Sequence, residues 1–448
     1  MSVADENNAL APWALKLPID WKITRLDSVA DILFSNVDKH TIEGEIPVHL
    51  CNYVDVYKNK KISRAINFME ATAKPREVEK FQIRPSDILT TKDSEDPNDI
   101  AVPSLVTEDL PGVLCGYHLA LIRPRSNRVS GPFLLWAHSS KQLRAQYEAK
   151  ATGVTRFGLS QYAFKSARMP LPSIQEQKLI ADFLDAGCSG LDEAVSIKRR
   201  QIEVLNAMAC STIQHAATQG LNLKAVMKPS GLDWLPEVPA HWSVQRIKRR
   251  CILLRGKFSH RPRNDPAFYN GKYPFIQTGD ITGADKYIRN YSQTLSELGF
   301  SVSKMFPKGT LVMSIAANVG DVAILDFEAC FPDSMVGLIP DHKTNLDYLY
   351  YLMCAMKSVL LRSAVLTTQL NLNYVRIGTN FAPFPPIEEQ KQIVAFLQRR
   401  IAEIQAVKDS LGLQIDVLTS YRNSLIHECV TGQRRITVED LNTVKMHG

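Results

Sequence analysis

Between His241 and Lys272 the chain carries Arg246, Lys248, Arg249, Arg250, Arg255, Lys257, Arg261, Arg263 and Lys272 against a single acid, Asp265. A smaller group is Lys58, Lys60, Lys61 and Arg64. Cations at this density suit a polyanion, because each can neutralise a phosphate and release its counterion, although solvated surface is the commoner role of any one cluster. Side chains able to read base edges are Tyr53, Gln277, Asn318, Gln369 and Asn371. Two loops rich in small polar residues, Thr152 to Ser160 with Arg156 and Thr367 to Asn373, could contact phosphates or bases or serve as plain turns. The candidate polyanion contacts are therefore Tyr53, Lys58, Lys60, Arg64, Arg156, Arg255, Lys257, Arg261, Arg263, Gln277, Asn318, Gln369 and Asn371.

Catalytic constellations are scarce. The chain has no G-x-x-x-x-G-K-[ST], no G-x-G-x-x-G and no H-E-x-x-H, so neither a phosphate-cradling loop nor a helical metal pair is encoded. The stretch N-D-P-A-F from Asn264 to Phe268 imitates the D-P-P-[FY] tetrad with which amino-methyltransferases hold a flipped base, but lacks its second proline. Pro332 and Asp333 with Asp341, His342 and Lys343 imitate a metal-nuclease pattern at too short a spacing. His215 and His427 stand at equivalent helix ends, where the helix dipole favours a cation. Eight cysteines are scattered singly, without C-x-x-C, and read as buried thiols rather than zinc ligands or disulfides. No catalytic residue, no metal site and no bound cofactor are expected.

At 448 residues, two to four domains are needed to bury the chain. With 45% hydrophobic and 22% charged residues it reads as a soluble protein. No apolar run would span a bilayer, and Met1 to Leu10 has no signal-peptide pattern; a cytoplasmic location is expected.

The elements that must position these side chains are repeated. Pro170, Pro172, Glu176, Gln177, Lys178, Ile180, Phe183 and Leu184 return 213 positions later as Pro383, Pro385, Glu389, Gln390, Lys391, Ile393, Phe396 and Leu397. Trp13 and Trp21 return as Trp234 and Trp242, 221 positions on, and read as packing anchors. After each Pro-x-Pro a heptad seam follows with 4-3 spacing. It runs through Leu184, Cys188, Leu191, Val195, Lys198, Ile202, Leu205, Ala209, Thr212 and Ala216 in the first copy. In the second it runs through Leu397, Ile401, Ile404, Lys408, Leu411, Ile415, Leu418, Arg422, Leu425 and Cys429. A shared seam over more than four heptads predicts coiled-coil pairing of two helices of about 42 residues, with Gly187, Gly190 and Gly412 as candidate bends. Only about 14 residues, Leu221 to Trp234, link the first helix to the next globular region, so an antiparallel pair is predicted.

The expected fold is α+β: two α/β globular domains at opposite ends of an antiparallel two-helix coiled coil, with a pseudo-twofold internal repeat. Its parts are an N-terminal arm and first domain (1–168), helical region 1 (169–220), a second domain (221–381), helical region 2 (382–432) and a C-terminal tail (433–448). Strands are predicted over Ile46 to Tyr57, Asp87 to Thr91, Leu119 to Arg123, Tyr273 to Ile281, Thr310 to Ile315 and Val322 to Leu325, and helices over Phe133 to Glu148 and Leu346 to Arg362.

The order of L-P-x-x-W (Leu17 to Trp21), a variable region, P-x-P-x-x-x-E-Q-x-x-I (Pro170 to Ile180) and a long helix, then the same series again, resembles the specificity subunit of type I restriction-modification systems. The resemblance covers roughly residues 13 to 432; the second copy opens with V-P-A-H-W instead. The resemblance implies that the globular regions are target recognition domains, each reading half of an asymmetric, interrupted site in double-stranded DNA. It also implies that the helices dock two methyltransferase (modification) subunits, with restriction (translocase-endonuclease) subunits in the larger complex. S-adenosylmethionine, ATP and Mg would then sit on those partners. The loop Thr90 to Asp99 is acidic where family members often carry a glycine-rich turn, so only Lys92 is taken from it as a DNA contact. Glu176, Gln177, Leu184, Leu191, Ile202, Leu205, Glu389, Gln390, Leu397, Ile404, Leu411 and Leu418 are the expected partner or coiled-coil contacts. Two other readings compete: a stand-alone nuclease or methyltransferase, and a coiled-coil scaffold that does not bind DNA.

Overall fold

Alternating apolar residues followed by long heptad runs require sheets that feed helices, and a computed structural model has that plan. It describes residues 17–260, 262–316, 318–362, 365–366, 370–371 and 374–447, with only the backbone given for 365–366, 370–371, 374 and 447. Trp13, Arg261 and Gln369 lie outside the described residues, and of Asn371 only the backbone is included. Two compact units form: residues up to Arg199 together with those from Gly412 onward, and Arg200–Leu411.

In the first unit, Lys22–Arg25 pairs antiparallel with Arg168–Leu171, so the segment after Trp21 is hydrogen-bonded to the Pro-x-Pro strand. Between them lies a five-stranded sheet in the order Ala30–Phe34, Leu119–Pro124, Ile88–Thr91, Pro103–Val106, Lys61–Ile62, beside a three-stranded sheet of Met69–Ala73, Ile46–Cys51 and Val113–Cys115. The second unit repeats the scheme. Ser243–Arg246 pairs with Phe381–Phe384, and its five-stranded sheet runs Cys251–Arg255, Met335–Pro340, Leu311–Ser314, Val322–Leu325, Tyr287–Ile288. In both five-stranded sheets the last edge strand joins parallel while its neighbours are antiparallel. One fold therefore underlies both globular regions, here called heads.

The predicted strands Ile46 to Tyr57 and Tyr273 to Ile281 both stop early, at Cys51 and Phe275. In each, a polar residue turns the chain into a short helix: the backbone N–H of Asn52 donates to the Asp55 carboxylate (2.8 Å) ahead of Tyr53–Lys58, and that of Gln277 donates to Asp280 (2.7 Å) ahead of Thr278–Thr282. The predicted helix over Phe133 to Glu148 is two, Gly131–Ser139 and Lys141–Glu148, parted at Ser140, whose backbone is extended. The other predicted elements fall within a residue or two of Ile88–Thr91, Leu119–Pro124, Leu311–Ser314, Val322–Leu325 and Leu346–Arg362.

The long helices are Ile174–Gln219 and Ile387–Val430, of 46 and 44 residues, each about 65–70 Å at roughly 1.5 Å per residue. Gly187, Gly190 and Gly412 do not interrupt them. Every seam residue named above is buried or half-buried, whereas most residues between them are exposed. Within the first unit, Cys188 and Leu184 near the start of the first helix share a core with Leu425, Ile426 and Cys429 near the end of the second. Arg422 pairs with Asp192 there (2.8 Å) and Lys198 donates to Gln414 (2.6 Å). Within the second unit, Ala216 and Ala217 at the end of the first helix pack with Ile393, Val394 and Leu397 at the start of the second. Each unit by itself thus shows antiparallel pairing. The tail is structured: Val438–His447 is a helix, and Ile436 and Leu441 enter the first head's core. No described helix is long and apolar enough to cross a membrane.

Candidate nucleic-acid interface

In the first head the short helix Tyr53–Lys58 projects Lys58 into solvent and stacks Tyr53 on Tyr57, with centroids 5.7 Å apart and planes 14° from parallel. Both tyrosines border a cleft of about 330 Å³ with Asp93, Ser94, Glu95, Asp96, Asp99 and Arg156. Its carboxylates are engaged: Asp99 accepts from the Tyr57 hydroxyl (2.5 Å), while Asp93 takes Arg156 (2.6 Å) and His118 (2.8 Å). The hydrogen bond to Asp93 raises the Arg156 pKa further. The acidic loop therefore aims an arginine and two tyrosines, and its remaining carboxylates can accept from an exocyclic amine of a base. Arg64 is exposed and paired with Glu108 (3.2 Å).

Two residues assigned to DNA from sequence are committed elsewhere. Lys60 lies over the Trp136 ring (3.6 Å), and burial, with Arg422 nearby, depresses its pKa. Lys92 donates to the Ser35 carbonyl (3.1 Å) and stands over Phe34 and Tyr117, with burial lowering its pKa. Both brace the head from within, Lys60 on an aromatic ring and Lys92 on a carbonyl and two rings, and a phosphate would have to compete with those partners.

In the second head a cleft of about 460 Å³ gathers Arg263, Asn264, Pro266, Tyr269, Asn270, Gln277 and Gln293. Gln277 donates to Gln293 (2.7 Å), which fixes the orientation of both amides. The segment imitating a methyltransferase tetrad thus forms part of a cleft wall, a short turn at Pro266–Phe268. Asp333 is engaged by Arg263, and its carbonyl accepts from Arg255 (2.7 Å); Asp341 accepts from Thr344 (2.7 Å). Among the described residues no group of three or more His, Cys, Asp or Glu could hold a metal ion. Lys257 is exposed, and Asn318 donates to Thr282 (2.9 Å), at the far end of the short helix that Gln277 begins.

The repeated Glu-Gln pair is internal to each unit. Gln177 and Gln390 have 0% exposure, so neither can contact a partner. The Gln177 carbonyl accepts from the Ser130 N–H (2.9 Å), and its amide donates to the carbonyls of Arg128 (3.1 Å) and Pro172 (3.0 Å). Gln390 accepts from Asn345 N–H (2.7 Å) and donates to Lys343 (3.0 Å) and Pro385 (2.9 Å). Glu176 takes the Trp21 indole N–H (3.5 Å) and Arg435 of the tail, which also binds Asp20; Glu389 takes His241 (2.8 Å). Leu184 and Leu397 are fully buried, Ile404 is nearly so, and Leu191, Ile202, Leu205, Leu411 and Leu418 are half-buried along the seam.

The sequence singled out neither Trp136 nor Asp185, and placed Arg422 only as a seam residue. The Trp136 indole donates to Asp185 (2.8 Å), Lys61 pairs with Asp185 (3.0 Å), and Arg422 reaches the same ring from the second helix. A charge at an otherwise apolar seam position was the available signal.

The profile of the type I restriction modification DNA specificity domain matches residues 18–207 and 261–411. A putative type I restriction enzyme MjaX specificity subunit from Methanocaldococcus jannaschii is 24% identical over 435 residues, covering 94% of this chain and 95% of its own. The EcoBI specificity subunit of Escherichia coli is 23% identical over 292 residues, 62% of this chain and 60% of its own. A solved structure described as the "structural basis underlying complex assembly and conformational transition of the type I R-M system" superposes with a TM-score of 0.69 at 19% identity, over 93% of this chain and 98% of that one. A family profile matched in both halves, on heads that repeat one fold while presenting different clefts, leaves one assignment: this chain belongs to the family of type I restriction-modification DNA specificity subunits.

Proposed function

We propose that each head reads one half of an asymmetric, interrupted DNA site, that the paired helices set the number of unread base pairs, and that two methyltransferase subunits dock on those helices. The reading rests on one observation: two heads with the same strand order carry different clefts, one acidic and tyrosine-lined, the other rich in amides and arginine. Arg263, Arg255, Lys257, Lys58 and Arg64 would set register on phosphates; Gln277, Asn318, Tyr53 and Arg156 would face base edges. Docking is supported by exposed apolar residues that recur at the repeat interval, Val204 and Met208 on the first helix and Val417 and Tyr421 on the second. Such residues on a solvent-facing stripe favour a protein partner. Chemistry would belong to the partners: the methyl donor on the methyltransferase subunits, ATP and Mg on restriction subunits, none on this chain.

Mapping methylated adenines in cells that express this chain with its methyltransferase tests the reading. An interrupted site is expected, and exchanging residues 27–168 for those of a relative should change one half-site alone. A continuous site, or both halves changing together, would overturn it.

A further inference from the structure

The two heads share little sequence, yet one buried side chain makes the same three bonds in each. Gln177 and Gln390 each accept from the backbone N–H of the residue before a head helix, Ser130 or Asn345. Each donates to the carbonyl two residues earlier, Arg128 or Lys343, and to the second proline of Pro-x-Pro, Pro172 or Pro385. All six bonds go to backbone atoms, so the glutamine is retained while its partners change type. A glutamate could not donate, and an asparagine would fall short by one methylene, about 1.5 Å.

The atoms it joins belong to three segments whose relation defines how a head stands on its helix. They are the crossover leaving the sheet, the strand that leads into the long helix, and that helix's first turn. The held residues are also caps: Ser130 Oγ accepts from Phe133 N–H (3.3 Å) and Asn345 Oδ1 from Tyr348 N–H (3.0 Å). A second contact recurs beside them. The lysine preceding the sheet's last edge strand lies over an aromatic ring of the capped helix, Lys60 over Trp136 (3.6 Å) and Lys286 over Tyr351 (4.8 Å).

We propose that Gln177 and Gln390 are positioning residues that fix the angle of each head on its own long helix and so the register in which its half-site is held. They touch no DNA. This inference deepens the proposed function and rests on it.

The test uses the full-length chain assembled with its methyltransferase partner. Gln390→Glu keeps acceptance from Asn345 and loses both donations; Gln177→Glu is the matching change in the first head. Either variant should methylate sites whose unread spacer is one base pair longer or shorter, raised from background to within about tenfold of the wild-type site. Both half-site sequences should stay the same. Leu349→Ala, a fully buried truncation one turn after Asn345 whose side chain takes no part in the lock's hydrogen bonds, should lower the melting temperature but keep the spacer strict. If the glutamine variants lose methylation in step with thermal stability while the spacer stays strict, the inference fails and the proposed function stands. The inference also fails, with the proposed function intact, if Leu349→Ala relaxes the spacer as much as the glutamine variants do. A wild-type complex that methylates a continuous site would overturn both.

Discussion

Lys58 and Lys60 are two positions apart and differ in almost every physical respect. Lys58 ends a short helix in solvent, whereas Lys60 is held over Trp136 among Asp185, Asp192 and Arg422. Lys58→Ala should lower the slope of log affinity against log salt by roughly 0.9 in anisotropy titrations of a cognate duplex, with melting unchanged. Lys60→Ala should leave that slope intact and cost roughly 1–2 kcal/mol of unfolding free energy; a changed slope would return Lys60 to the DNA contacts. His138 offers a separate readout. Burial lowers its pKa to about 4, with Nδ1 against the Leu134 carbonyl (2.8 Å) and Nε2 against the Tyr147 hydroxyl (3.1 Å). The unfolded chain takes up the proton near pH 6.5 and the folded one does not. Stability is therefore complete above that pH and falls as pH drops toward 4, by up to about 3 kcal/mol. In His138→Gln the denaturation midpoint between pH 6.5 and 5 should be flatter than in the wild type. Charge composition located the basic segments but could not separate these roles, because a lysine's burial depends on what the tertiary fold places over it. Lys92 eluded the sequence for the same reason.

At the scale of elements, legibility tracked periodicity. The seam was readable because Leu397, Ile404 and their equivalents repeat at an interval that only paired helices use, and each is buried or half-buried. Truncating Leu397 to alanine should cost about 2–5 kcal/mol in chemical denaturation, whereas Val417→Asp, on the exposed stripe, should leave stability within about 0.5 kcal/mol. The latter should weaken retention of the methyltransferase in pull-downs; undiminished retention would remove this stripe from the docking surface. Short helices were less legible. Tyr53–Lys58 and Thr278–Thr282 directly follow strand-like runs, and only the spacing Asn52 to Asp55 and Gln277 to Asp280 marks the turn. Of the clefts only single wall residues were legible, Tyr53 and Arg156 in one and Arg263 and Gln277 in the other, since Tyr57 meets Asp99 across 42 positions and Arg156 meets Asp93 across 63.

For the whole molecule, the helices' continuity makes length a variable that can be changed. A heptad inserted between Arg199 and Arg200, matched by one between Leu411 and Gly412, adds about 10 Å at roughly 1.5 Å per residue. Methylome mapping should then show a spacer about three base pairs longer at roughly 3.4 Å each, with both half-sites kept. Unmatched insertion in one helix should abolish methylation, since it breaks the register of the seam. The division into units carries one more consequence. Residues 200–411 are contiguous, whereas the other unit joins the segment up to Arg199 with that from Gly412, and its core needs Leu425, Ile426, Cys429, Val430, Ile436 and Leu441. At about 5–20 residues per second on the ribosome, those side chains arrive tens of seconds after the first head has emerged. The first head to be synthesised is thus the last to be completed. Until the final turn of chain leaves the exit tunnel, Leu184 and Cys188 lack their partners, which makes this nascent half a client for chaperones and a chain cut short after Leu411 a target for proteolysis.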